Sequence, residues 1–148
     1  MDSLKNCALE YLHRTGCAFR STPDETIHLF SMRGHCGSYP VYLYTKAPYL
    51  VCLAKYPQIV PDEQRMEVAE FLHRINYGLL LGNFEMNPDD GILRFRTALI
   101  SDSEEIPHNI LAQYIQMPAA MLDRYAAGID AMIYEGELAL NALKLVED

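Results

Sequence analysis

Residues 81–99, LGNFEMNPDDGILRFRTAL, decide the fold, and they read as a β-hairpin. Asn87-Pro88-Asp89-Asp90-Gly91 supplies the turn. Pro88 presets φ at the first corner, the Asx side chains can bond back to the backbone, and Gly91 can take a positive φ. Pairing Asn87 with Ile92 sets Glu85 opposite Arg94 and Phe84 opposite Phe95. That register puts Phe84, Met86, Leu93 and Phe95 on one face. It puts Asn83, Glu85, Arg94 and Arg96 on the other. A slip of one residue would mix the two sets, so the register is well specified. A Glu85–Arg94 pair adds a few tenths to about 1 kcal/mol.

Working outward, Gly78 and Gly82 lead into the hairpin from a helix over 61–77. Pro61, Asp62 and Glu63 make a good first turn, with acids at the positive end of the helix dipole. Val68, Phe71, Leu72, Ile75 and Leu79 recur as a buried stripe. Glu67, Glu70 and Arg74 form a solvated face, with Glu70–Arg74 at i,i+4 spacing. After the hairpin, 101–105 is an acidic loop. A third helix starts near Pro107, with Leu111, Ile115, Leu122, Tyr125, Ile129 and Met132 on its inner stripe. Pro118 falls inside this pattern and is expected to kink or split the helix, since it removes a donor and clashes one turn back. Met117 and Met121 flank that proline and suit an irregular core gap. Gly136 marks a second break before a short helix over 138–146.

The first half begins with a helix over 3–15, started by a cap at Asp2 or Ser3 and ended at Gly16. Leu4, Ala8, Tyr11 and Leu12 give it an apolar stripe. Residues 21–25, with Pro23, read as a loop, 27–33 as a weakly alternating strand, and 34–37 as a bend. Residues 39–56 read as two strands joined near Ala47-Pro48. Proline is disfavoured at the second corner of a two-residue turn, which predicts a longer loop. Tyr39, Tyr42, Tyr44, Tyr49 and Tyr56 interleave with Val41, Leu43, Val51 and Leu53. Both faces are apolar enough to be covered, one by helices and the other by a partner.

At 148 residues the chain is long enough for a proper core, and half its residues are apolar. A single domain spanning 1–148 is expected. The formal net charge is −8, and no run of basic residues appears. Nucleic acid and an anionic membrane surface are therefore not expected as partners. No apolar run approaches transmembrane length. Cys7, Cys17, Cys36 and Cys52 are widely spaced, and an amphipathic pattern starts directly after Met1. Reduced, mostly buried thiols in a cytoplasm are expected.

Sites of chemistry are scarce. His35-Cys36 invites a nucleophile reading with His28 or His73 as base, but no local signature of a cysteine enzyme accompanies it. His13, His28, His35, His73 and His108 lack zinc-like pairing. The turn at 87–91 lacks the alternating acids of a calcium loop. No phosphate loop, GxSxG elbow or HExxH is present. No catalytic residue, cofactor or metal ligand is assigned. Asp123-Arg124 reads as a helix surface pair beside Tyr125, or as a contact onto Arg94 and Arg96. Those two arginines could in turn receive a carboxylate.

Asn76, Gly82, Phe84, Asn87-Pro88-x-x-Gly91, Arg94-Phe95-Arg96 and Asp123-Arg124-Tyr125 together resemble the YbjN family, described as bacterial sensory transduction regulators. The resemblance implies a fold similar to the type III secretion chaperones. The element order agrees with that: α+β, a twisted antiparallel sheet of about five strands, α-β-β-β-α-β-β-α, with helices packed on it. The function this implies is a non-enzymatic adaptor or chaperone that holds a tail or terminus of a partner protein, with homodimer formation as in the secretion chaperones. The partner-binding residues expected are Tyr39, Tyr42, Tyr44, Tyr49, Arg94 and Arg96, since tyrosines suit an interface. The resemblance is to cyanobacterial relatives above all, which makes assembly of a large complex such as a carboxysome shell one conceivable setting. The alternatives are a regulator responding to a small ligand or modification and, remotely, an enzyme using Cys36.

Overall fold

The computed structural model describes residues 3–102 and 105–147, so the expected cap at Asp2 and part of the acidic loop lie outside the described residues. The elements in order are α1 (Ser3–Arg14), β1 (Arg20–Ser21), β2 (Ile27–Arg33), β3 (Ser38–Lys46), β4 (Tyr49–Lys55), α2 (Arg65–Tyr77), β5 (Asn83–Met86), β6 (Leu93–Ile100), α3 (His108–Glu135) and α4 (Ala139–Val146). A turn of 3-10 helix, Asp62–Gln64, leads into α2. The fold is α+β. The sheet is antiparallel throughout, in the order β1-β2-β3-β4-β6-β5, and it has six strands rather than about five. The additional strand, β1, is two residues long and too short to show any periodicity. It pairs Arg20 with Leu29 and Ser21 with His28.

The hairpin has the register its sequence dictates. Phe84 faces Phe95 and Glu85 faces Arg94. The Asn87 carboxamide oxygen accepts the Asp89 amide at 2.9 Å, and the Asp90 carboxylate accepts the Ile92 amide at 2.9 Å. Gly91 sits at φ 77, against the Val60 carbonyl, where a Cβ would lie 2.3 Å from that oxygen. Only glycine meets both demands.

The expected longer β3–β4 loop does not form, and of the kink or split expected at Pro118 the split does not occur. Ala47 and Pro48 alone separate the paired Lys46 and Tyr49, and the bond between them is cis, the form in which proline fits the second corner of a tight turn. The helix α3 runs unbroken for 28 residues with Pro118 buried inside it. Proline removes the amide that the Tyr114 carbonyl would have accepted. The buried Thr97 of β6 replaces it, donating its hydroxyl to that carbonyl at 2.6 Å. At the next residue, the Ile115 carbonyl accepts the Cys52 thiol at 3.4 Å.

The helices among the described residues lie on one side of the sheet. The Tyr11 ring of α1 meets His108 of α3 at 5.1 Å, and Phe71 of α2 meets Tyr125 of α3 at 6.4 Å. α4 packs on α3 and α2. Glu67, read as solvated, instead accepts the first amide of α4, that of Ala139, at 2.9 Å. Under the helices the sheet buries Tyr39, Val41, Leu43, Leu50, Cys52, Ala54, Leu93 and Phe95, each at 2% exposure or less. The expected stripes of α1, α2 and α3 are all buried, apart from Leu79, which lies beyond α2.

Candidate interaction surface

The opposite face of the sheet carries no helix among the described residues. Strand pairing arranges it in rows, because directly paired residues share a face. One row is Ile27, Tyr44, Val51 and Ala98. The next is Arg20, Leu29, Tyr42, Leu53, Arg96 and Asn83. A third holds Lys55, Arg94 and Glu85. Every one of these side chains is half-buried or exposed. Between them lies an open hollow of about 510 Å³, lined by Ile27, Tyr42, Tyr44, Val51, Leu53 and Arg94 among others. An exposed apolar patch of this kind is a candidate interaction surface.

The six residues expected to bind a partner divide. Tyr42, Tyr44 and Tyr49 are accessible, with Tyr42 and Tyr44 at the centre of the open face and Tyr49 49% exposed at the β3–β4 turn. Tyr39 is not. It sits at 2% exposure on the helix face, because position 39 has the opposite parity from 42 and 44. Arg94 and Arg96 lie on the open face but are held by Glu85, Arg94 at 2.6 Å and Arg96 through the other carboxylate oxygen. Burial works to raise the Glu85 carboxyl, and the two guanidiniums outweigh it and hold it below its usual range. The aliphatic part of the surface, Ile27, Leu29, Val51 and Leu53, was missed together with Lys55. Parity with Tyr42 and Tyr44 along each strand was the signal that could have found them.

Asp123 bonds to the β2–β3 turn and not to Arg94 or Arg96. Its carboxylate accepts the amides of His35 and Cys36, at 2.9 and 2.8 Å, and the Tyr39 hydroxyl at 2.8 Å. Burial pushes this carboxyl up, but the two amides and the hydroxyl together hold it below its usual range. Two helical turns further on, Asp130 accepts the Tyr56 hydroxyl. Arg124 stacks over the Tyr125 ring at 5.3 Å. Asp123 and Asp130 fasten the helix layer to the sheet.

The structure does not assemble the cysteine site. Cys36 is exposed in the β2–β3 turn. His28 is buried five residues before the end of β2, about 16 Å away at 3.3 Å per residue. Both its ring nitrogens are engaged, one with Ser21 at 2.7 Å and the other with Thr45 at 3.1 Å. His73 lies exposed on α2. Of the four cysteines only Cys52 is fully buried, and burial raises its thiol strongly. Among the described residues no group of three or more His, Cys, Asp or Glu gathers to hold a metal, and no helix is long and apolar enough to cross a membrane.

The family model described as "YbjN: Putative bacterial sensory transduction regulator" matches residues 9–131. The chain belongs to the YbjN family. The YbjN match runs from within α1 to within α3, so all six strands and the open face fall inside it. The crystal structure of YbjN, "a putative transcription regulator from E. coli", superposes with a TM-score of 0.58 at 12% identity, over 80% of this chain and 85% of that one. At that identity the YbjN likeness establishes the fold alone. No curated protein matches the sequence.

Proposed function

We propose that this member of the YbjN family is a non-enzymatic adaptor that holds a segment of a partner protein on the open face of its sheet. The observation that supports this reading is that face itself. It is apolar at its centre, it presents accessible tyrosines, and no helix among the described residues covers it. Antiparallel sheets with one solvated face usually alternate apolar-in with polar-out. Here β3 and β4 are apolar on both sides, which a stable fold does not require and a binding surface does.

The test is affinity capture from the native lysate at moderate salt, run in parallel with the wild-type chain and with Tyr42→Ser/Tyr44→Ser. Both positions are off the core, so the variant should keep its far-UV spectrum and melting temperature within a few degrees. One stoichiometric partner recovered by the wild type and lost with the variant is the expected result. A partner retained equally by both would remove the surface from consideration.

The family description favours a second reading, a regulator that responds to a small ligand in the same hollow. A ligand that binds only the folded chain raises its melting temperature by mass action. A shift of several degrees with a small metabolite, abolished by Tyr44→Ser, would move the assignment to that reading.

A further inference from the structure

The sheet sorts charge as well as apolarity. On the open face lie Arg20 of β1, Arg33 of β2, Lys46 of β3, Lys55 of β4, and Arg94 and Arg96 of β6. The single carboxylate at a sheet position of that face is Glu85. At its strand positions, then, the face holds six lysines and arginines and one carboxylate. These strand positions sum to +5, while the remaining six cations, all on α-helices, are cancelled there by six carboxylates, and the other thirteen carboxylates fall outside the strands and α-helices. No run of basic residues betrays this, because the cations come from five strands.

Their placement has a shape. The apolar centre belongs to β2, β3 and β4. Arg20 lies one strand beyond it on one side, and Arg94 and Arg96 lie one strand beyond it on the other. At about 4.8 Å per strand the two cationic flanks stand roughly 19 Å apart. A helix with its side chains is about 10–12 Å across, so one laid on the centre would point its two flanks at the two sets of cations. Lys55 stands directly opposite Arg94, whose charge Glu85 already partly offsets, so Lys55 adds cationic charge on that side. Glu85 is taken up by Arg94 and Arg96, and the nearby Asp90 is committed to the Ile92 amide within its turn.

Resting on the adaptor reading, we infer that the partner segment is an acidic amphipathic helix, with an apolar stripe on the strand centre and carboxylates on both flanks. A polyphosphate chain fits less well. The cations ring an aliphatic centre instead of forming a track, and the acidic remainder of the chain would repel a long polyanion.

Three labelled 15-residue peptides test this, each with leucines at i, i+3, i+4 and i+7 spacing and with Glu, Gln or Lys elsewhere. Anisotropy at 50 mM salt should show the Glu peptide binding at least tenfold tighter than the Gln peptide, with the Lys peptide weakest. Arg20→Glu/Lys55→Glu, which leaves the Glu85 pairs intact, should erase that preference. So should 500 mM salt. Equal binding of the Glu and Gln peptides, or no binding up to 1 mM, overturns the inference. If binding lacks an acid preference but is lost with Tyr42→Ser/Tyr44→Ser, the charge inference falls and the adaptor reading stands. If the tyrosine variant changes nothing, both fall. A 20-residue oligothymidylate or phosphatidylglycerol vesicles binding tighter than the Glu peptide, and released by Arg20→Glu/Lys55→Glu, would assign the face to phosphates and overturn it as well.

Discussion

At Asp123 a single side chain joins helix to sheet through three hydrogen bonds. Its carboxylate fills the space beside Gly34 so closely that a Cβ there would stand 2.3 Å from its Cγ. Replacing Asp123 by Asn swaps one acceptor oxygen for a donor that faces other donors. The cost expected at pH 7 is about 1–2 kcal/mol, the range for leaving a partly buried polar group unsatisfied. The pH dependence has a definite sign. The folded carboxyl is held below its ordinary value of 3.8, so it stabilises the fold above that pH and loses this as pH falls through the lower folded value. Urea melts of the wild type and Asp123→Asn should therefore differ at pH 7 and converge as pH drops below about 3.8. A gap that stays constant down to about pH 3, past the ordinary carboxyl range, would mean that the substitution acts through packing instead. From sequence, Asp123 could be singled out, but its partners could not. They lie 84 to 88 residues away in the chain, and only the packing of α3 on the β2–β3 turn brings them together.

Whole elements show where local chemistry is enough and where it is not. The hairpin of β5 and β6 was legible to the residue, because turn chemistry and side-chain parity point to one register. The stripes of α1, α2 and α3 were legible for the same reason, a period that holds over several turns. Pro118 was not. Its local rule predicts a kink or a split, and the split is avoided where a hydroxyl from β6 supplies the donor that proline lacks. Thr97 and Pro118 are thus one device split between two elements, and they should couple. Thr97→Val is expected to destabilise the fold by about 1–3 kcal/mol, since it leaves the Tyr114 carbonyl buried and unmet. In a Pro118→Ala background the helix regains its own amide donor, and the same change should cost less by at least about 0.5 kcal/mol. A double-mutant cycle by chemical denaturation measures this. Additive costs would show that the hydroxyl and the proline act independently. The β5 edge shows a similar economy, since the Asn76 side chain pairs with both the amide and the carbonyl of Phe84, as a neighbouring strand would. That contact occupies the backbone groups of Phe84 at one edge of the sheet and hinders further pairing there.

At the scale of the molecule the strand positions of the open face sum to +5, the charges of the four α-helices cancel, and the balance of −13 falls on residues outside the strands and α-helices. Composition showed only the sum, −8, and the absence of a basic run led to the expectation that nucleic acid and anionic membranes are not partners. The face was hidden because strand parity, not sequence proximity, gathers it. This bears on self-association, which the apolar strands led us to expect. Two open faces meeting would bury apolar surface but bring six cations against six. Such a dimer should be weak at low salt and tighten as salt screens the repulsion, with a Debye length near 30 Å at 0.01 M and about 3 Å at 1 M. A head-to-tail contact, basic face on the acidic loops of a second copy, has the opposite sign and would build open-ended chains. Sedimentation of the free chain at 20 mM and at 500 mM salt separates the two. The expected outcome is a mass nearer the monomer at 20 mM and nearer the dimer at 500 mM, with Tyr44→Ser abolishing the shift. A mass that falls as salt rises would put the contact between unlike faces. In that case a second copy would compete with any acidic partner for the same ring of cations.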